Sequence, residues 1–334
     1  MLITHSAKGW GMLTSAALML VAFWLSLAIG QIEMEWSAVF NALTAYQPGN
    51  IDHLIVRTER FSRTVIAALV GASLAVAGAL MQTLTRNALA APSVLGINAG
   101  AMLLLVVAST WWGLKSPFAL VWVAFLGAGG AAFLVYLLGR SPGRGLSSVR
   151  VVLAGVAMTA LFVSLAQGVL IAHQDQFESL LFWLAGSVAG RELSAVTPLL
   201  PLFGAALLLC ALLCRSLNLL ALDDEVTTGL GQRTGTIKLL TGSAVIVLAG
   251  GAVAIAGMIG FVGLIVPHMV RGIFGRDHHW VLPGCALLGA SLLMLADTGA
   301  RVLMPPQEVP VGIMTALLGT PFFLYLARRR SLGL

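Results

Sequence analysis

Apolar positions in this chain rarely alternate with polar ones. They run together for about 20 residues at a time, and short clusters of charge, proline and glycine separate the runs. A helix needs about 20 apolar residues to cross a hydrocarbon core of about 30 Å, so each run predicts a membrane-spanning helix. Ten spans follow: 11–30, 64–83, 94–113, 118–139, 151–172, 195–214, 239–257, 259–274, 281–299 and 310–327. A transmembrane barrel would instead show alternating segments of about ten residues. The expected fold is an all-α polytopic membrane protein with one transmembrane domain over 1–334.

Composition supports that pattern. The 334 residues are 59% hydrophobic and 10% charged, against about a quarter charged in soluble domains. Lys8 ahead of 11–30 imitates a signal peptide. That run is too long for an h-region and no small-residue cleavage site follows, so it reads as a retained first span. The net charge of +6 is dispersed through short loops, without the aromatic-interleaved basic patch that nucleic acid requires. Cys210, Cys214 and Cys285 fall inside apolar segments. Cys210 and Cys214 share a helix face without histidine or carboxylate company, so they read as small hydrophobic filler.

Charge sets the orientation. With the N-terminus inside, Lys8, Arg86, Arg140, Arg144, Arg150, Arg215, Arg233, Lys238, Arg271, Arg276 and Arg328 to Arg330 lie on the cytoplasmic side. Only Arg57, Arg60, Arg63, Lys115, Arg191 and Arg301 lie outside. This bias predicts both termini in the cytoplasm. It also leaves the arginines of "VRTERFSRTV" (56–65) on the outer side, against the rule. Their helical spacing predicts three guanidinium groups fanning from one side of a helix's first turns. Arginine at a membrane helix costs roughly 2.5–3.5 kcal/mol, so the cluster needs a reason other than topology. Arg57 is expected to pair with Glu59 or Asp52, or to meet lipid headgroups.

The chain repeats itself. "GASLAVAG" (71–78) matches "GGAVAIAG" (250–257), each followed by a proline at comparable distance, Pro92 and Pro267. The two stretches lie in spans two and seven, which run in opposite directions, so a five-plus-five inverted repeat is expected. Chance likeness between Gly/Ala-rich helices is the alternative. Small residues at four-residue spacing, such as Gly71, Ala75 and Ala79, predict close helix packing.

The missing chemistry is informative. A phosphate-binding loop needs Gly-Lys-Ser/Thr, but Lys8, Lys115 and Lys238 follow Ala7, Leu114 and Ile237. The chain is therefore no P-loop ATPase. No His-Glu-x-x-His occurs, and Ser73 and Ser291 sit in small-residue helix faces, so intramembrane hydrolysis has no candidate site. Ion-coupled transport would call for several buried acids. Only Asp297 qualifies, and Arg301 one turn on offers it a local ion pair. Asp277-His278-His279 reads as a solvated turn rather than a metal cluster. His268, after Pro267, is expected to bond backbone groups freed by the proline.

The largest cytoplasmic segment, 215–238, carries Asp223, Asp224 and Glu225 where a short helix would begin, as suits its dipole. Gly229 and Gly231 mark its end. Leu219, Leu220, Leu222, Val226 and Leu230 along it suggest an amphipathic helix to which a soluble motor docks.

These residues, taken together, resemble the FecCD-type permeases, membrane subunits of ABC importers for iron–siderophores, haem and vitamin B12. The resemblance runs nearly end to end. It is carried by "RFSRTVIAALVGASLAVAGALMQTLTRNALAAPSVLGINAGA" (60–101), "LALDDEVTTGLG" (220–231), "GFVGLIVPHMVR" (260–271), "DHHWVLPGCALLGASLLMLADTGAR" (277–301) and the following "EVPVGIMTALLGTPFF". It implies a type II importer permease in the bacterial inner membrane, paired with a second permease, identical or paralogous. Two cytoplasmic ATPases using ATP and Mg, and a periplasmic binding protein, would complete the assembly. No cofactor is implied for this chain.

The resemblance also implies roles for particular residues. Arg60, Arg63 and Arg301 match outward arginines that receive acids of the binding protein. Segment 221–231, with Leu222, Asp223, Asp224, Glu225, Gly229 and Gly231, matches the helix seated in the ATPase. Asn87, Leu89, Ser148 and Val149 match the inner gate. Two departures stand out: Phe61-Ser62 replaces Leu-Pro between the paired arginines, and Ala88 replaces proline after Asn87, removing a φ restraint at the gate. The expected substrate is a ferric siderophore, leaning to catecholate from "GALMQTLTRN" and "LGINAGA". Haem or vitamin B12 is the alternative within the class, and an ion-coupled secondary transporter the alternative outside it.

Overall fold

A computed structural model describes residues 4–141, 145–146, 148–173, 183–222, 227, 229, 231–305 and 307–331. Each predicted span is a helix. In chain order the helices are α1 (His5–Ala28), α2 (Trp36–Thr44), α3 (Ile51–Thr85), α4 (Ile97–Trp111), α5 (Pro117–Gly139), α6 (Ser148–Ala172), α7 (Leu193–Leu212), α8 (Cys214–Leu220), α9 (Thr234–Ala256), α10 (Val262–Phe274), α11 (His278–Val302) and α12 (Val311–Ser331). The described strand structure is one two-residue antiparallel pairing, Arg140 with Leu146 and Ser141 with Gly145. Seven helices have the length and apolarity to cross a membrane, and α4, α10 and α12 are shorter apolar helices. Among the described residues, the connections at alternate ends define an upper end (29–50, 112–116, 183–192, 257–261, 303–305 and 307–310) and a lower end (86–96, 140–141, 145–146, 213–222, 231–233 and 275–277).

Local signals set the helix ends. Thr4 Oγ1 accepts from Ala7 N–H, Asn50 Oδ1 from Asp52 N–H and Asp277 Oδ1 from His279 N–H, each covering a donor the helix start leaves open. Residues 51–60, read from sequence as an outer loop, instead extend α3 upward, with a π turn at Val56–Arg60. The loop before it also contains α2.

The bundle is built around α3 and α9, which carry the repeated motif. Of their apolar windows 78% and 67% is buried within the chain, against 17% for α6. α3 and α11 run antiparallel over their full lengths. Thr83 meets His278 at the lower end, Gly71 meets Gly289 midway, and Arg63 meets Asp297 at the upper end. A methyl added at Gly71 would fall on the carbonyl oxygen of Gly289, and the reverse holds too; Gly100 on α4 and Gly127 on α5 form a second such pair. In lipid, helices gain little from hydrophobic exclusion, so such close backbone approach supplies the packing. Gly289→Leu would therefore pry α11 from α3. We expect at least about 1–3 kcal/mol of destabilisation, the usual cost of overpacking, measured by thermal unfolding in detergent. Gly204→Leu, at a helical glycine with open space around it, would stay near wild type.

Candidate functional site

The upper-end arginines do not fan outward together. The π turn breaks their regular spacing and sends them three ways. Arg57 stays at the surface with its guanidinium 4.7 Å from the centre of the Tyr46 ring, a cation–π contact in place of the expected Glu59 or Asp52 pair. Arg60 turns inward and is 6% exposed. Its Nη1 donates to the carbonyls of Leu27 (2.9 Å) and Ala28 (2.7 Å), and its Nη2 to Ile32. Arg301, also buried, donates from Nη1 to Ser26 O (2.8 Å) and Ile29 O (3.2 Å). The end of α1 thus has its open carbonyls covered by two arginines from other helices, a need that is acute where no water can substitute. Arg60 and Arg301 are, in this conformation, interior groups rather than outward ones.

Arg63 completes the cluster. Its Nε and Nη2 hold Asp297 at 2.9 and 2.8 Å, and its Nη1 holds both Glu308 oxygens at 2.8 and 3.0 Å. Arg301 pairs with the same Asp297, as its spacing predicted. Asp297 is 1% exposed and thus serves two guanidinium groups in the interior, while Arg63 and Glu308 are 14% and 28% exposed. The Asp297–Arg301 pair was legible at four-residue spacing. Arg63 and Glu308 were not, because they meet only through the α3–α11 packing.

A second polar cluster lies at the lower end. His278, expected in a solvated turn, is 3% exposed. Its Nε2 bonds Thr83 Oγ1 at 2.8 Å and its Nδ1 meets Asn218 Oδ1 at 2.6 Å. Asn218 Nδ2 donates to Asp277 Oδ1 at 2.7 Å. The solvated reading holds for Asp277 and His279, 41% and 49% exposed, and fails for His278 alone, because Asp277 caps α11 and sets the next residue inside the bundle. No cluster of metal-ligating residues is found among the described residues. Burial alone would raise the Asp277 carboxyl. Hydrogen bonds from Asn218 and His279 outweigh it and hold the group down at about 2, from an ordinary 3.8. A depressed carboxyl stabilises above its unfolded value and loses that contribution as pH falls through the folded one. Asp277→Ala should then cost about 1 kcal/mol near neutrality, as lost caps do, and the difference should shrink between pH 4 and pH 2 in unfolding measurements.

The same cluster leads to the segment expected to meet an ATPase. α8, which carries Asn218, ends at Leu220, whose carbonyl accepts from Arg86 Nε at 3.3 Å. Leu222 is exposed; Asp223, Asp224 and Glu225 lie outside the described residues. Thr227 is buried, with Oγ1 donating to Leu219 O at 3.1 Å. Gly229 is helical, and Gly231 takes the positive φ of +79° that ends such a turn.

Of the residues expected at the inner gate, Asn87 accepts from Leu89 N–H through Oδ1 at 3.0 Å. This Asx turn holds the segment where the proline ring is missing. Ser148 opens α6, and Val149 beside it is 68% exposed. Asn87 and Ala221 line one cavity of about 760 Å³ with Arg271 and His278, so this end of α3 and the chain after α8 share a wall. His268 in that wall lies edge-on to the Phe322 ring, 5.9 Å between centres.

The described residues form a charged upper platform and a polar lower junction joined by one antiparallel helix pair. Comparison with known proteins identifies the family. Residues 18–329 match the FecCD transport family, and the chain belongs to that family. It is 47% identical over 312 residues, 93% of each chain, to the probable siderophore transport system permease protein YfiZ of Bacillus subtilis. It is 40% identical over 319 residues, 95% of this chain and 94% of the other, to the ferric enterobactin transport system permease protein FepD of Escherichia coli. A solved structure described as an inward-facing conformation of a metal-chelate type ABC transporter superposes with a TM-score of 0.80 at 29% identity, covering 95% of this chain and 98% of that one. The fold is that of an ABC importer permease.

Proposed function

We propose that this chain is the permease subunit of an ATP-driven importer that moves a ferric siderophore of catecholate type from periplasm to cytoplasm by alternating access. The observation that carries the reading is the near end-to-end likeness to permeases named for iron chelates. The upper end then faces the periplasm and both termini the cytoplasm, as the basic-residue bias requires. A binding protein docks on the upper platform, where its acids engage Arg63 while Arg60 and Arg301 position the end of α1 beneath. Two ATPases seat the coupling segment below. Their closure moves α8, and the Asn218–His278–Thr83 chain passes that displacement to α11 and α3. A second permease, identical or paralogous, forms the other half of the pathway. Asn87, Leu89, Ser148 and Val149 narrow it at the lower end.

The test is uptake in proteoliposomes holding permease, ATPase and binding protein, without a proton gradient. We expect ATP-dependent accumulation of labelled ferric catecholate in preference to ferric hydroxamate, haem or cobalamin. Uptake that needs a proton gradient and ignores ATP would replace this reading with an ion-coupled transporter. Preference for haem or cobalamin would replace the substrate alone.

A further inference from the structure

Two upper-end cations take no part in the arginine platform. Lys115, between α4 and α5, and Arg191, ahead of α7, line one cavity of about 430 Å³ whose other walls are mainly apolar, including Leu105, Leu120, Val121 and Trp183. Among the described residues no acidic side chain lines it. Among the described residues neither cation forms an ion pair or a side-chain hydrogen bond. Arg191 Nε is buried with no partner, and burial pulls the guanidinium pKa down. Arg60, Arg63 and Arg301 at the same end each reach carbonyl or carboxylate acceptors. A buried guanidinium donor without an acceptor is costly, and its natural explanation is a group that binds there.

The wall of the cavity is fixed. Ser187 N–H donates to Ala256 O at 2.8 Å and Gly312 N–H to Gly186 O at 3.0 Å, tying the segment after Trp183 to the end of α9 and the start of α12. Its depth is marked by Trp111 and Trp112, 64% and 67% exposed at the adjoining end of α4, and by Phe118 at the start of α5. Exposed tryptophans at helix ends mark the headgroup level of a bilayer.

We infer that this cavity is a binding site for a phosphate-type oxyanion, as carried by the headgroup of an outer-leaflet phospholipid. The Arg191 fork can take two phosphate oxygens, Lys115 adds a point charge, and the apolar walls accept the glycerol and first methylenes. The inference stands apart from the transport reading.

It is tested by native mass spectrometry of the delipidated full-length protein, titrated with phosphatidylglycerol, with neutral diacylglycerol and with inorganic phosphate. We expect phosphatidylglycerol to bind wild type and to bind Lys115→Gln/Arg191→Gln about tenfold or more weakly, while Lys115→Arg keeps its affinity. Competition by inorganic phosphate would mean that the site accepts the free anion; its failure to compete would mean that the headgroup needs its lipid. Both outcomes support an oxyanion site and separate the two sources. Equal phosphatidylglycerol affinity in wild type and variants, or diacylglycerol binding as well as phosphatidylglycerol, would overturn it. Should Arg191→Gln fail to fold, Lys115→Gln against Lys115→Arg decides, because Lys115 is exposed and its substitution leaves the interior untouched.

Discussion

Asp297→Ala should be among the most destabilising single substitutions in this protein. The carboxylate is 1% exposed and lies between Arg63 and Arg301. Its loss leaves Arg301 interior with only carbonyl and hydroxyl partners from α1, and leaves Arg63 held by Glu308 alone. Removing one member of a buried ion pair typically costs about 3–5 kcal/mol, because the remaining charge stays desolvated and unpaired. Asp297→Asn keeps the shape and one acceptor oxygen, so any large loss in that variant reports the charge. Asp297→Leu/Arg301→Leu should recover part of the stability, since Arg63 retains Glu308 and no uncompensated charge is left inside. The check is thermal unfolding of the purified permease in detergent. An Asn variant within about 0.5 kcal/mol of wild type would show that the triad contributes packing rather than electrostatics.

Arg63→Gln and Glu308→Gln should move binding-protein affinity in opposite directions. Arg63 is the most exposed member of the buried triad, and Glu308 covers its Nη1. On the proposed docking reading, an incoming acid shares or displaces Glu308. If that acid is desolvated on docking, Arg63→Gln should weaken binding by about 2–5 kcal/mol, roughly 30-fold or more. Glu308→Gln frees a donor and should tighten binding by less, about 0.2–1 kcal/mol, as fits a partly exposed pair. Surface binding of immobilised permease to loaded binding protein at low and high salt reads both effects. Unchanged affinity in both variants would remove Arg63 from the docking surface.

The spans were legible because lipid imposes one rule on every residue that crosses it: apolar, helical and about 20 residues long. Each of the ten runs in the sequence became a helix, and the repeated Gly/Ala motif marked the two central ones. The Asp297–Arg301 pair was legible for the same local reason, since a four-residue spacing fixes neighbours on one helix face. His278 was misread because its burial depends on Asp277 capping α11 and on Asn218 arriving from α8, sixty residues earlier. The three arginines of 56–65 were read as one fan because a regular helix was assumed where the chain forms a π turn.

Sequence alone determined the membrane class, the spans, the small-residue faces, the absence of an ATP-binding loop and the family resemblance. All of these rest on composition or on spacing within one element. Tertiary structure decided what the charges do. It alone placed Arg60 and Arg301 on the open carbonyls of α1, set Asp297 between two arginines, and left the Nε of half-buried Arg191 without a partner in the cavity that Lys115 also lines. A guanidinium at a membrane edge is costly wherever it sits, and its partners come from helices far apart in the chain; only their packing shows which acceptors each arginine reaches.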